Sequence, residues 1–257
     1  MFLEIEPLFF QKLESNNSFN FAKGEKVKRN SNVKTQILPR LEFLLVVGRL
    51  GWDFVMKIIC IGRNYAKHIE ELENEKPENP VVFLKPDSAS LPRKNPFFIP
   101  PFSDDIHYEV EVLVKINKVG KHIDPKFAYK YYDEIGLGID FTARDVQAKC
   151  KAKGLPWEKA KAFDGSAVVG EFYPKEEFDL ENLKFQLYKN DELVQDGNTN
   201  AMLWKTDELI AYVSQYFTLK KGDIIFTGTP AGVGKVVEND NLKGVIEGKE
   251  AFQIRVK

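Results

Sequence analysis

Apolar residues recur at every second position over 107–116, His-Tyr-Glu-Val-Glu-Val-Leu-Val-Lys-Ile, the spacing of a half-buried strand. Shorter apolar runs at 57–62, 80–85, 134–141, 183–188, 224–227 and 250–256 predict further strands. Turn-forming groups separate them: Asn190-Asp191, Lys221-Gly222-Asp223 and Gly228-Thr229-Pro230-Ala231-Gly232. Helical spacing is rarer. Tyr65, Ile69 and Leu72 place a helix over 65–75, and two more fall at 142–153 and 206–217. The last opens on Thr206-Asp207-Glu208, a cap followed by acidic residues in the first turn. Many strands with few helices predict an α+β, mainly β fold.

The first 55 residues break this pattern. Residues 15–40 are polar, carry Ser15-Asn16-Asn17-Ser18 and keep no period, as a loosely ordered extension would. Met56 directly precedes the first strand-like run. The folded domain is therefore expected over 56–257, with 1–55 an N-terminal appendage or a misassigned start.

Composition narrows the class. The formal charge of the 257-residue chain is -1, which offers no field for nucleic acid or an acidic membrane. No apolar run approaches the ~18 residues of a membrane span, and the acidic start Met1-Phe2-Leu3-Glu4 does not read as a signal peptide. Cys60 and Cys150 stand far apart, so neither a disulfide scaffold nor a zinc knuckle is expected, and a reducing compartment, the cytoplasm, is the default.

Four constellations could carry chemistry. On a strand, His107, Glu109 and Glu111 share one face. Two carboxylates side by side repel unless a cation sits between them, and oxygen-only ligands suit Mg²⁺, Mn²⁺ or Ca²⁺. Equally, the pattern is that of a solvated strand face. Asp140, at the end of the glycine-containing run Ile135-Gly136-Leu137-Gly138-Ile139, adds a third carboxylate, or simply pairs with Arg144 four residues on. His68 and Glu71 lie at i and i+3 of a helix, as a general base and its orienting carboxylate, or as part of an acidic solvated face. Lys161 beside such a site would stabilise an oxyanion, and alone it reads as a surface lysine in a Lys-rich segment. The Gly228–Gly234 loop lacks the Lys-Ser/Thr spacing of a phosphate loop. It serves either as a tight turn or as a source of N–H groups and the Thr229 hydroxyl for a substrate carboxylate.

Taken in order, these segments resemble the fumarylacetoacetate hydrolase family, most nearly its short acylpyruvase and oxaloacetate decarboxylase members. The matching stretches are Gly62-Arg63-Asn64-Tyr65 with His68 and Glu71, Phe83-Leu84-Lys85-Pro86, and His107-Tyr108-Glu109-Val110-Glu111. They continue with Asp140 to Gln147, Lys153-Gly154-Leu155-Pro156-Trp157 leading to Lys161, and Gly222-Asp223 followed by Thr227-Gly228-Thr229-Pro230. The resemblance covers 56–257 and implies a core of rolled mixed β-sheets in a homodimer. It implies metal ligands at Glu109, Glu111 and Asp140 for Mg²⁺ or Mn²⁺, and a water-activating dyad of His68 and Glu71 on a lid helix. Lys161 and Gln147 would flank the reacting carbons, with Arg63, Tyr65, Arg144 and Thr229 lining the substrate pocket. The 55-residue leader has no counterpart in the short members, and Phe163-Asp164-Gly165-Ser166 mixes features of several subfamilies. The implied reaction is hydrolysis of the carbon–carbon bond of acylpyruvates such as fumarylpyruvate or acetylpyruvate, extending to decarboxylation or tautomerisation of oxaloacetate. The alternatives are an isomerase or decarboxylase of 2-hydroxyhepta-2,4-diene-1,7-dioate type dicarboxylates, and a non-catalytic metal-binding dimer.

Overall fold

A computed structural model describes residues 56–72 and 75–257 of the protein. The extension read over 1–55 and residues 73–74 of the 65–75 segment lie outside the described residues. Along the chain run β1 (Ile58–Gly62), α1 (Ala66–Glu71), β2 (Val81–Lys85), β3 (Ile106–Tyr108) and β4 (Val110–Ile116). There follow α2 (Pro125–Ala128), β5 (Tyr132–Asp140), β6 (Thr142–Ala143), α3 (Arg144–Ala152), α4 (Glu158–Lys161) and β7 (Ala167–Pro174). The C-terminal third holds β8 (Lys184–Lys189), β9 (Glu192–Asn198), α5 (Thr206–Tyr216), β10 (Ile224–Phe226), β11 (Gly234–Lys235), β12 (Asn241–Ile246) and β13 (Lys249–Arg255).

The strands form three sheets. The largest has the order β2-β1-β10-β4-β5-β7 and is mixed, because β1 and β10 run parallel while its other pairs are antiparallel. A three-stranded sheet, β11-β3-β6, and a four-stranded antiparallel sheet, β13-β12-β8-β9, complete the mainly β architecture. Both cysteines are buried and free. Among the described residues no helix is long and apolar enough to cross a membrane.

The run at 107–116 departs from the expected single strand. It breaks at Glu109, because β3 pairs with β6 and β11 in the small sheet while β4 pairs with β5 and β10 in the large one. Nor is its acidic face solvated. One face of β4, from Val110 through Val112 and Val114 to Ile116, enters the main core with Ile59, Leu137 and the α5 residues Leu209, Ile210 and Val213. The other face carries Leu113 into a second cluster with Ile58, Cys60 and Phe226, and Glu111 is 2 % exposed. Alternation signals two chemically different faces, and here both are buried. The predicted helix at 142–153 begins at Arg144 instead, because Thr142 and Ala143 pair with His107 and Ile106 as a strand.

The large sheet packs tightly beside the acidic end of β4. A Cβ added at Gly138 would meet the Val168 carbonyl oxygen at 2.2 Å and Leu113 Cδ1 at 2.8 Å. Backbone cannot yield as a side chain does, so Gly138→Ala is expected to cost about 1–3 kcal/mol by overpacking. A thermal melt reads the loss, and an unchanged Tm would show that β5 and β7 have room to separate.

Candidate active site

Glu109 occupies the break between β3 and β4, and its carbonyl accepts the Asp140 amide at 2.9 Å, which ties the break to the end of β5. Glu111 follows two residues on. All three carboxylates are buried, and one oxygen from each lies within 4.8 Å of the others. Thus β4 and β5, neighbours in register, converge the acidic groups at one end of the sheet.

Cations surround this triad. Lys161, at the end of α4 and 4 % exposed, donates to Glu109 Oε2 at 2.7 Å, Asp140 Oδ2 at 2.7 Å and Thr142 Oγ1 at 2.5 Å. It is therefore no surface lysine. Arg144, the first residue of α3, donates to Glu109 Oε1 at 2.5 Å and to Gln147 Oε1 at 2.9 Å. Asp140 takes Lys85 and Lys161, not Arg144, as its counter-ions. Lys85 is 1 % exposed and lies 2.8 Å from Asp140 Oδ1, with further bonds to Ser166 and the Lys161 carbonyl. No role for Lys85 follows from the sequence pattern, although a lysine closing an apolar strand before Pro86 was a visible signal.

Burial raises the cost of every charge here, and the neighbours decide which side wins. Burial would push the Glu109 carboxyl up, but Lys161 and Arg144 hold it well below its ordinary value. Glu111 goes the other way: burial, then Asp140 and Glu109, push it well above, with only partial relief from the Gly228 N–H at 2.7 Å. Burial would lower the Lys161 ammonium, yet Asp140 and Glu109 raise it, so it stays charged. Asp140 Oδ1 has an ion-pair partner but no hydrogen-bond donor in proper geometry. A hard divalent cation fits this set: three converging carboxylates, one of them inadequately neutralised and one with an undonated oxygen. Gly228 has φ +103 and its added Cβ would lie 2.7 Å from Asn64 Cβ, so only glycine presents its N–H to Glu111 here.

The dyad meets the triad through His68, which lines the same cleft. His68, on α1, is 6 % exposed, and its Nδ1 lies 3.2 Å from Glu71 Oε2. Glu71 Oε1 accepts the Gly232 N–H at 3.0 Å, which fastens α1 to the 228–234 loop. Burial lowers the His68 pKa below 6.5 against the opposing pull of Glu109 and Glu71. A neutral imidazole donating Nδ1–H to Glu71 leaves Nε2 as the proton acceptor.

One cleft is lined by the triad, by Lys161 and His68, and by Arg63, Arg144, Gln147, Lys151, Trp157 and Thr229, while Glu71 stands behind His68 and is not among the lining residues. Tyr65 is not among its lining residues. Its ring is buried edge-on against Phe185, and its hydroxyl has no hydrogen-bond partner among the described residues. His107 also stays apart, bonded through Nε2 to Asp105 at 3.0 Å, because the strand break turns it into the small sheet. Lys151 was not anticipated from the sequence. Burial lowers its pKa, and so do Arg63, Arg144 and Lys161, which marks a mouth crowded with positive charge.

A buried triad of acidic oxygens and a flanking ammonium share one cleft with His68, whose Nδ1 meets Glu71. Residues 57–256 match the family model described as fumarylacetoacetate (FAA) hydrolase C-terminal, and the chain belongs to this enzyme family. It is 42% identical over 207 residues to the mitochondrial oxaloacetate tautomerase FAHD1 of Bos taurus, covering 80% of this chain and 94% of that protein. It is 43% identical over 196 residues to the oxaloacetate tautomerase YcgM of Escherichia coli (strain K12), covering 76% and 90%. Its structure resembles that of fumarylpyruvate hydrolase from Pseudomonas aeruginosa in complex with Mn²⁺ and pyruvate. The TM-score is 0.75 with 33% identity, over 80% of this chain and 92% of that one.

Proposed function

We propose that this protein acts on small 2-oxo acids and that its principal reaction interconverts the keto and enol forms of oxaloacetate. The observation that carries the reading is the convergence of Glu109, Glu111 and Asp140 beside Lys161 in the cleft that His68, paired with Glu71, also lines. The sequence alone put acylpyruvate hydrolysis first; the tautomerase names of two relatives at 42% and 43% identity move the weight to oxaloacetate.

When bound by Glu109, Glu111 and Asp140, Mg²⁺ or Mn²⁺ would supply Lewis-acid polarisation of the substrate's 2-oxo group. The chain's own groups do the rest. Arg63, Arg144 and Lys151 give the cleft a positive field that draws in a dicarboxylate. Neutral His68, oriented by Glu71, takes a proton from C3 of oxaloacetate, and the 2-oxygen gains one as the enol forms. Lys161 stabilises the negative charge that develops between these two events. Gln147 is held by Arg144 at the edge of the same space.

Hydrolysis of an acylpyruvate is the second reading, supported by the likeness to fumarylpyruvate hydrolase. There the same dyad would deprotonate water, and cleavage would leave the enolate of pyruvate. Loss of CO₂ from oxaloacetate passes through that enolate too. The reading extends to a homodimer in a reducing compartment, the cytoplasm in the first instance, which light scattering and cell fractionation check.

The test is a panel of oxaloacetate, acetylpyruvate and fumarylpyruvate, assayed by enol absorbance and pyruvate release. Turnover is expected to vanish in EDTA and to return with Mg²⁺ or Mn²⁺, with enol–keto exchange the fastest process. Absence of turnover on all three substrates with either metal would sink the reading.

A further inference from the structure

We infer that Gln195 is a positioning residue that fixes the Thr229 hydroxyl as a hydrogen-bond donor toward the carboxylate of a 2-oxo acid in the cleft; the inference rests on the function proposed above. Gln195 comes from β9, in the four-stranded sheet, 85 residues from the strand it serves. It is 1 % exposed, a buried amide on a strand whose neighbours at 194 and 196 are not buried. Such a side chain must spend its hydrogen bonds inside the protein.

Its partners determine which way the amide faces. The Val110 N–H can only donate, and it lies 2.9 Å from Gln195 Oε1. The Pro230 carbonyl can only accept, and it lies 3.0 Å from Gln195 Nε2. Flipping the amide would set donor against donor and acceptor against acceptor, so the orientation is forced. The second hydrogen on Nε2 then points to Thr229 Oγ1 at 2.9 Å. Thr229 Oγ1 is an acceptor in that bond, and its own proton must go elsewhere. Among the described hydrogen bonds none uses Thr229 as the donor to a protein group, and Thr229 lines the cleft with Glu111, Asp140 and Lys161.

A hydroxyl is normally ambivalent, able to accept or donate by rotating. Here one of its roles is already taken. What remains is an O–H aimed at whatever acceptor enters the cleft, and a carboxylate is the strongest such acceptor. Gln195 also anchors the backbone between Glu109 and Glu111 through Val110, so its two ends must be separated by experiment.

The experiment is a double-mutant cycle on the full chain loaded with Mn²⁺, using Gln195→Met, Thr229→Val and the pair. Oxalate, an unreactive vicinal dicarboxylate, is the probe, and its Kd is measured by calorimetry beside Mn²⁺ affinity and Tm. Each single variant is expected to weaken oxalate by roughly 10- to 100-fold, the range for one hydrogen bond to a charged acceptor. The double variant should be no weaker than Thr229→Val alone, and Mn²⁺ affinity should hold. Should Gln195→Met fail to fold, Gln195→Glu keeps an acceptor for the Val110 N–H while removing the donor, and enters the same cycle. Additive losses, or a matching loss of Mn²⁺ affinity, would overturn the inference and place the effect in the strand. A wild-type protein that binds Mn²⁺ but not oxalate would instead overturn the 2-oxo acid reading, and this inference with it.

Discussion

Lys161→Met is expected to keep Mn²⁺ binding and lose turnover. The ammonium is buried and spends its three hydrogens on Glu109, Asp140 and Thr142. Its removal takes from Glu109 and Asp140 one of the two cations that each holds, and breaking such buried pairs costs about 3–5 kcal/mol. For a domain of this size that is a fall in Tm of about 10 °C. A divalent cation restores the missing charge, so saturating Mn²⁺ should recover most of the lost stability. Its affinity should hold or rise, because Lys161 no longer competes for Glu109 Oε2 and Asp140 Oδ2. Turnover should not recover. A preorganised charge next to a developing enolate is worth roughly 10²–10³-fold in rate, and methionine offers none. The informative result is the dissociation of the two readouts. If activity and Mn²⁺ affinity fall together, Lys161 serves the acidic cluster only, and its assignment to the enolate is wrong.

How much of this site could be read along the chain depends on what each interaction leaves in the sequence. A strand leaves a period of two, so β4 was visible, and with it the pairing of Glu109 and Glu111 on one side. The period does not say whether the polar side meets water or a second buried layer, and here Leu113, Ile58, Cys60 and Phe226 bury it. The break at Glu109 was invisible, because it arises from partners: β6 and β11 claim one half of the run, and β5 and β10 claim the other. The helix at 206–217 was clear because its apolar stripe and acidic first turn agree. Lys161 could not be distinguished from its lysine-rich surroundings by any local rule; its burial is a product of α4 packing under β2 and β6. Gln195 lay further out of reach, since all three of its bonds go to segments at least 34 residues away. The family resemblance marks the triad and dyad by position, and the fold adds Lys85, Lys151 and Gln195, whose importance lies in contacts across it.

His68→Ala is expected to separate the three reactions proposed for this cleft. Acylpyruvate hydrolysis requires a deprotonated water, and enolisation of oxaloacetate requires removal of a C3 proton. Both ask for a base, and His68, buried beside Glu71, is the neutral imidazole lining the cleft. Each should fall by about 10²–10⁴-fold, the usual contribution of a general base. Loss of CO₂ needs no proton abstraction, so decarboxylation should fall far less, and equal losses in all three would refute this division of labour. The pH profile is the companion measurement. Burial lowers the His68 pKa, so the base form persists at pH values where an exposed histidine would be half protonated. Activity should therefore hold to lower pH than an ordinary histidine with its midpoint at 6.5 would allow, and decline as His68 gains a proton and loses its basic nitrogen. Glu71→Gln should keep a partner for Nδ1 without the negative charge, which disfavours the imidazolium formed on proton transfer. A moderate loss of rate is expected there, with the acid limb displaced further down. An acid limb unmoved in Glu71→Gln, or one lying above 6.5 in the wild type, would remove His68 from the role of base.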